Sequence, residues 1–376
     1  MRRKLDILSF ALYDAGETIL SALVYSTFFP LFITKYIDTK MYSVFYGSAF
    51  LMSFIVALHL GKLADSRGIR KHFFALFSLL TALFCALLTL LTNMPWIALF
   101  VYSLMAISHQ QALVFYNSML LSFEKRGIAS GLGVSVGYIS SAFTLLFLAK
   151  EMHIPKVFLY ASLLFVLLST PALFFLKNPP YREKVSLREV FKDKKFMLAI
   201  ISILSLTEVA NTLIAMMGIY LKKVYGLEDE NIYKVIGLSA LGGVMGGVLF
   251  GKLSDKIQAH KLFPMGFFLW SFFLIILYFA PKGAILPVGF LAGLSLAHLW
   301  TTSRLFIMEK FPQTQVSVRL SFLSLTERIA STTGLFTWSL FLYITGDDYR
   351  LSALFMLVFP TMGYVVFRSV KFKGES

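Results

Sequence analysis

About twelve apolar runs of near-twenty residues fill almost the whole chain, and nothing else limits its fold so tightly. A helix rises 1.5 Å per residue, so about 20 apolar residues cross a hydrocarbon core of roughly 30 Å. The spacing predicts spanning helices, numbered 1 to 12 in order, at 8–34, 42–61, 72–92, 95–121, 128–149, 156–176, 196–221, 232–251, 262–280, 284–308, 317–343 and 350–368. Only 178–195 is polar over any length. Its 186–195 part reads as a short interfacial helix with Leu187, Val190 and Phe191 toward lipid.

Composition removes the soluble alternatives. Apolar residues make up 57% of the 376 and charged residues 15%, against about 25% charged in a soluble domain. So few charges would leave a water-facing surface uncovered. The net charge of +15 would suggest nucleic acid in a soluble chain. Here Lys and Arg stand in short loops between the runs, where they set membrane orientation, and no nucleic-acid partner is expected. With the N-terminus in the cytoplasm, and Lys and Arg among the first or last three residues of a span counted with the adjoining segment, cytoplasmic segments hold 24 of the 35 and outer segments 9, leaving Arg304 and Arg328 deeper within spans. The positive-inside rule then predicts both termini cytoplasmic and a plasma (inner) membrane location. Met1-Arg2-Arg3-Lys4 has the look of a signal-peptide start. The run that follows carries Asp14 and Glu17 and no small-residue cleavage site, so it is expected to persist as the first span. A lone Cys85, no CxxC and no HExxH leave no disulfide, metal or cofactor to expect.

The halves repeat. Gly61-Lys62-Leu63-Ala64-Asp65 near the end of helix 2 returns as Gly251-Lys252-Leu253-Ser254-Asp255 near the end of helix 8, at an offset of 190 shared by Gly47 and Gly237. Asp14, Glu17 and Thr18 of helix 1 match Glu208, Asn211 and Thr212 of helix 7 at an offset of 194. The expected organisation is an N-terminal six-helix bundle (1–177), a cytoplasmic linker (178–195) and a C-terminal six-helix bundle (196–376). Repeats of six spans are characteristic of secondary transporters, with the substrate site near midplane between the repeats.

The segment from Gly61 through Asp65, Ser66, Arg67, Gly68, Ile69, Arg70 and Lys71 resembles the major facilitator superfamily loop G-x-x-x-D-[RK]-x-G-R-[RK]. Ser66 follows the Asp, and Ile69 separates Gly68 from Arg70. The second copy keeps Gly251, Asp255 and Lys256. A narrower resemblance, to the autophagy-related vacuole-effluxer branch, rests on Ala11-Leu12-Tyr13-Asp14, Phe115-Tyr116-Asn117, Arg126-Gly127 with Ser130-Gly131 through Gly137-Tyr138, Ser303-Arg304, and Arg328 with Gly334. Glu17 stands where that branch has Asn, and Leu121 replaces a Pro. The resemblance implies an all-α membrane protein, twelve transmembrane helices in two pseudo-symmetric six-helix bundles, with helices 1, 4, 7 and 10 lining a central cavity. It implies amino-acid export as the branch's activity. It also implies that Gly61, Asp65, Arg67, Gly68 and Arg70, with Asp255 and Lys256, form a conformational gate in cytoplasmic loops.

Ionisable side chains within a span cost about 2.5–3.5 kcal/mol each on insertion scales, so they are paired or functional. Asp14 and Glu17 share one face of helix 1. Two carboxylates in a low-dielectric cavity repel when both are ionised, which suits a proton carrier; the alternative is a static pair between Asp14 and Arg304. Glu208 and Asn211 lie on the matching face of helix 7. Proton coupling is therefore expected from Asp14, Glu17 or Glu208. Tyr13, Gln110, Asn117, Asn211, His298 and Arg304 are expected to line the substrate cavity, Arg304 offering a fork for a carboxylate. Glu327 and Arg328 project about 100° apart and read as structural charge. Gly246-Gly247-Val248-Leu249-Phe250-Gly251-Lys252 mimics a P-loop, but Leu253 replaces the required Ser or Thr; its glycines instead allow close helix packing.

The resulting expectation is a monomeric, proton-coupled secondary transporter of a small polar or amphiphilic solute, working by alternating access. Against it stand a lipid, amphiphile or drug exporter of the same fold, encouraged by 39 Phe, and, from other classes, a non-transporting receptor or a membrane-embedded enzyme. No credible nucleophile with a base is present for the last.

Overall fold

The computed structural model describes residues 2–37, 39–181 and 184–370; the side chains of several residues inside helices, Arg328 and Tyr233 among them, lie outside the description. The long apolar runs all form helices. Helix α1 covers 2–33 as Arg2–Leu20, a wide-turned Ser21–Phe28 and Phe29–Ile33. Pro30 explains the wide turns: its ring clashes with the carbonyl four residues back and it has no N–H, so the chain bonds one residue further along. The Thr27 hydroxyl follows suit, donating to Ala22 O at 2.8 Å, five residues back.

The remaining helices of the first half are α2 Thr39–Arg67, α3 Arg70–Leu88, α4 Pro95–Ser118, α5 Arg126–Phe143 and α6 Lys156–Phe175. Those of the second half are α7 Lys194–Tyr225, α8 Asp229–Ile257, α9 Met265–Phe279, α10 Ile285–Lys310 and α11 Val316–Thr345. Last comes α12, in two pieces, Tyr349–Phe355 and Val358–Ser369. It breaks where Pro360 cannot donate to the carbonyl of Met356. Among the described residues, eleven helices are long and apolar enough to cross a membrane. The twelfth, α11, has the length but is diluted by Arg319, Glu327, Arg328 and a run of Ser and Thr. Leu, Ile, Phe and Met side chains stand out from the helices, Phe174 75% and Phe336 73% exposed, as lipid-facing surfaces require.

The same packing occurs in each half: α1 lies on α5 and α6, α7 on α11 and α12, α2 on α4 and α8 on α10. The halves meet along two seams, α5 against α8 and α2 against α11.

Two expectations about helix ends are corrected. Helices α2 and α8 run six residues past their predicted ends, so Asp65, Arg67 and Asp255 sit on helices rather than in loops. Charged residues in a last turn read as loop in a hydropathy pattern, whereas the real break needs only Gly68, at φ +68°, and Ile69. The interfacial helix exists as Leu187–Lys192, and its apolar side is divided, with Phe191 47% exposed and Val190 turned inward. Val190 is fully buried, and the Phe191 ring meets the Phe322 ring of α11 edge-on at 5.3 Å.

Candidate functional site

At one end of the molecule both seams are shut by carboxylates that cap helices of the opposite half. Asp65 accepts from the N–H groups of Ser317 and Val318 at the start of α11, each at 3.2 Å. Asp255 accepts from Gly127 N at 2.7 Å and Ile128 N at 2.9 Å at the start of α5. The first turn of a helix has N–H groups with no partner of their own and carries partial positive charge, so each carboxylate satisfies two donors and the helix dipole together. Arg70, fully buried, bonds Asp65 Oδ1 at 2.8 Å and Ser317 Oγ at 3.2 Å through Nε. It also reaches Thr314 O at 3.3 Å and donates to Tyr181 O. Lys71 N donates to Asn178 Oδ1 at 3.0 Å, tying the linker to the same turn. Nearby, Arg319 of α11 pairs with Asp193 at 2.9 Å over the rings of Phe196 and Phe311. Gly61 belongs to this closure because a Cβ there would lie 3.1 Å from Val318 N. Arg67 and Lys256, expected as gate residues, are exposed and take no part in either clamp.

Inward of the clamps, Arg304 of α10 crosses between the halves. Its Nη1 donates to Asn117 Oδ1 at 2.7 Å, Nε to Ser130 Oγ at 2.7 Å and Nη2 to Ser130 O at 2.9 Å. Asp14 Oδ2 stands 4.0 Å from Nη2, and the Phe10 ring lies 5.7 Å from the guanidinium carbon. The fork that could hold a substrate carboxylate is thus directed at neutral oxygens of α4 and α5, with Asp14 as the nearby counter-charge. Tyr116 supports this wall by donating to Phe10 O at 2.8 Å.

Glu17 lies one turn from Asp14. It accepts from Ser21 Oγ at 2.9 Å and faces His109 Nε2 of α4 at 3.3 Å. Thr18, which donates to Asp14 O at 2.7 Å, and Glu17 itself are partly exposed. The matching positions on α7 behave alike but have different partners. Glu208 Oε1 is hydrogen-bonded to the Thr333 hydroxyl of α11, and Asn211 Nδ2 bonds Glu327 O at 2.9 Å and Ser331 Oγ at 3.2 Å. In both halves the carboxylate rests on a glycine of the neighbouring helix. A Cβ at Gly133 would fall 2.0 Å from Asp14 Oδ2, and one at Gly334 2.8 Å from Glu208 Oε2 and 2.1 Å from Thr212 Oγ1.

Of the residues expected in the cavity, Arg304 and Asn117 are brought together, and Asn211 lies partly exposed on α7. Gln110 lines a small cleft between α2, α4 and α11 with Ser53, Phe54, Val114 and Ser324, while its neighbour Gln111 turns away to Ser53 O at 2.8 Å. Two expectations are corrected. Tyr13 is fully buried within the first half, stacked on Tyr116 at 4.4 Å and facing Ser78 Oγ at 3.2 Å. His298 is fully buried within the second half, Nε2 on Leu262 O at 3.0 Å and edge-on to Phe250. Each sits on the core-facing side of its helix. Glu327 is partly buried on α11, its carbonyl held by Asn211; the Arg328 side chain lies outside the described residues. Sequence reasoning gave no role to Ser130 beyond its place in a motif, and none to Thr333, Arg319 or Asp193. Their partners are distant in the chain, and no spacing rule reaches them.

Residues 7–335 match the model of the Major Facilitator Superfamily. The chain is 57% identical to an uncharacterized protein of Aquifex aeolicus over 370 residues, 98% of each chain. It is 21% identical to the uncharacterized MFS-type transporter YxiO of Bacillus subtilis, covering 95% of this chain and 94% of that one. Among solved structures it is similar to a bacterial homologue of the iron transporter ferroportin in its outward-facing state, with a TM-score of 0.76, 18% identity and coverage of 98% and 99%. At that identity the likeness speaks for the fold alone. With the repeated halves, the seams and the family match in place, the chain belongs to the major facilitator superfamily, a family of membrane transporters rather than enzymes.

Proposed function

We propose that this secondary transporter moves a small polar or amphiphilic solute by alternating access, coupled to protons, and that the structure is its outward-facing form. The observation that carries the reading is the inter-half Arg304 network with the Asp14 carboxylate 4.0 Å away. A buried guanidinium needs negative charge near it. Neutralising Asp14 therefore weakens the electrostatic balance of the network that joins the halves, and a proton is the simplest agent. The Asp65, Arg70 and Asp255 clamps are the gate that must break when the other side opens. The excess of Lys and Arg at the clamped end supports a cytoplasmic placement of that end and of both termini, in a plasma (inner) membrane. The working unit is a monomer. The short motifs shared with the vacuole-effluxer branch support amino acids as the solute class, with Asn117, Asn211 and Arg304 as contacts once the network reopens.

The test is solute uptake into proteoliposomes under an imposed pH gradient. Gradient-driven uptake that Asp14→Asn with Glu17→Gln abolishes supports proton coupling. Uptake indifferent to the gradient and to both substitutions removes it.

A further inference from the structure

The carboxylates of the two matched clusters, Asp14 and Glu17 on α1 and Glu208 on α7, differ in their surroundings. Asp14 has the Arg304 guanidinium at 4.0 Å. Glu17 has the Ser21 hydroxyl at 2.9 Å and the His109 imidazole at 3.3 Å. Glu208 is 5% exposed, and among the described residues no Lys, Arg or His comes within ion-pair distance of it.

The described residues around it agree. On α7 itself the neighbouring polar groups are Thr207, Asn211 and Thr212. From α11 come Thr333, Gly334 and, lower down, Glu327, the Arg328 side chain lying outside the described residues. Three cationic groups of the other neighbours are engaged elsewhere. His298 of α10 is on Leu262 O at 3.0 Å, Arg304 is on Asn117 and Ser130, and Arg350 at the start of α12 is on Tyr278 O at 2.8 Å.

The hydrogen count at Thr333 points to what the site needs. The Thr333 hydroxyl stands 2.8 Å from Ile329 O, the backbone carbonyl four residues back, and also bonds Glu208 Oε1. A hydroxyl has one hydrogen, and a carbonyl can only accept. If that hydrogen goes to Ile329 O, the contact between Thr333 and Glu208 requires a second hydrogen, and the only group placed to supply it is the carboxyl itself. Ionised, Glu208 would set Oε1 against a lone pair of Thr333 and leave Oε2 buried without a partner over Gly334. A buried charge so placed has neither a counter-ion nor the donors that stabilise one.

We propose that Glu208 carries a proton in this state, as an acid whose Oε1–H donates to Thr333 Oγ1 while the Thr333 hydroxyl donates to Ile329 O. This makes Glu208 the site that holds the coupling proton first, ahead of Asp14, and in that respect it rests on the proton-coupled reading above. Release breaks the Oε1–H bond and passes the proton to water. Thr333, which is exposed, then turns its own hydrogen from Ile329 O to the carboxylate left behind. In this closed form Asp14 is ionised beside Arg304 and Glu17 beside His109, and protonation of Asp14 follows as the network opens.

The test is carbodiimide labelling of the purified wild-type protein, read by peptide mass spectrometry. N,N′-dicyclohexylcarbodiimide modifies protonated carboxyls in apolar surroundings and needs no knowledge of the solute. The expected result at neutral pH is an adduct on the peptide bearing Glu208 and none on that bearing Asp14 and Glu17. On the alkaline side of its titration, the yield should fall about tenfold per pH unit. Infrared spectroscopy should show a protonated-carboxyl band that Glu208→Gln removes. Labelling at Asp14 or Glu17 with Glu208 untouched would overturn the assignment. So would absence of both adduct and band, or protection of Glu208 by sodium at constant pH, which would make it a metal-cation site. If gradient-driven uptake is found but Glu208 is unlabelled, this assignment fails and proton coupling stands. If Glu208 is labelled but uptake ignores the gradient, the protonated acid stands and coupling fails.

Discussion

Gly131→Ala tests the seam between α5 and α8. The added Cβ would lie 2.0 Å from Gly247 O and 2.7 Å from the Cα of Gly251. Carbon and carbonyl oxygen in contact stay about 3.3 Å apart, so the helices must part by roughly 1.3 Å. Both contacts are with backbone, which cannot swing aside as a side chain can. Overpacking of this kind costs about 1–3 kcal/mol. The strain falls on the closed form alone, because opening this end separates the two helices. A bias of about 1–3 kcal/mol corresponds to a 5–150-fold change in the ratio of the two forms. The assay is thiol labelling of Val318→Cys, a position that is fully buried in the companion seam, with Cys85 replaced by Ala. A polar thiol reagent supplied at the clamped end should modify that cysteine faster in Gly131→Ala by a factor within that range. Labelling at the parental rate, in protein of unchanged thermal stability, would refute the view that backbone contact between α5 and α8 holds this end shut.

Other outcomes follow from the clamps and the Arg304 network. Asp255→Ala removes the acceptor for two N–H groups of α5 and should destabilise the closed form by about 1–2 kcal/mol, read as faster labelling of the same cysteine. Arg304→Met leaves Asp14 buried beside no cation, and breaking a buried pair in this way costs about 3–5 kcal/mol, which a thermal-unfolding shift of the detergent-solubilised protein would reveal. Asn117→Leu strands one guanidinium donor at a cost of about 1–3 kcal/mol, and Asn117→Asp should be tolerated better because it restores the acceptor. A double-mutant cycle between Asp193→Ala and Arg319→Ala should give a coupling energy of about 0.5–3 kcal/mol; additivity would mean the pair holds nothing.

Much of the architecture was legible in the hydropathy pattern, because a span needs a fixed apolar length and little else. What was lost lay at span ends and across helices. The residues after Gly61 and Gly251 are charged yet helical, and a reading that ends helices at the first charge ends α2 and α8 too soon. Periodicity places Tyr13 near Asp14 and His298 on a polar stretch of α10, but successive residues point about 100° apart. One degree of rotation information is missing from the sequence: which neighbour each face meets. The internal repeat made up part of that deficit, since it paired Asp14 with Glu208 correctly as equivalent carboxylates resting on glycine. It could not reveal that one has a guanidinium at hand and the other only hydroxyls, because Arg304 and Thr333 have no counterparts at the repeat offset.

The linker is fastened at both ends in this form, Asn178 and Tyr181 to the turn between α2 and α3, Phe191 and Asp193 to α11. A chain reaches at most about 3.3–3.6 Å per residue. The stretch from Tyr181 to Phe191 is therefore a leash of about 35 Å at most. As long as both knots hold, the clamped mouth can gape no wider than that leash allows, and any wider excursion must first untie one of them.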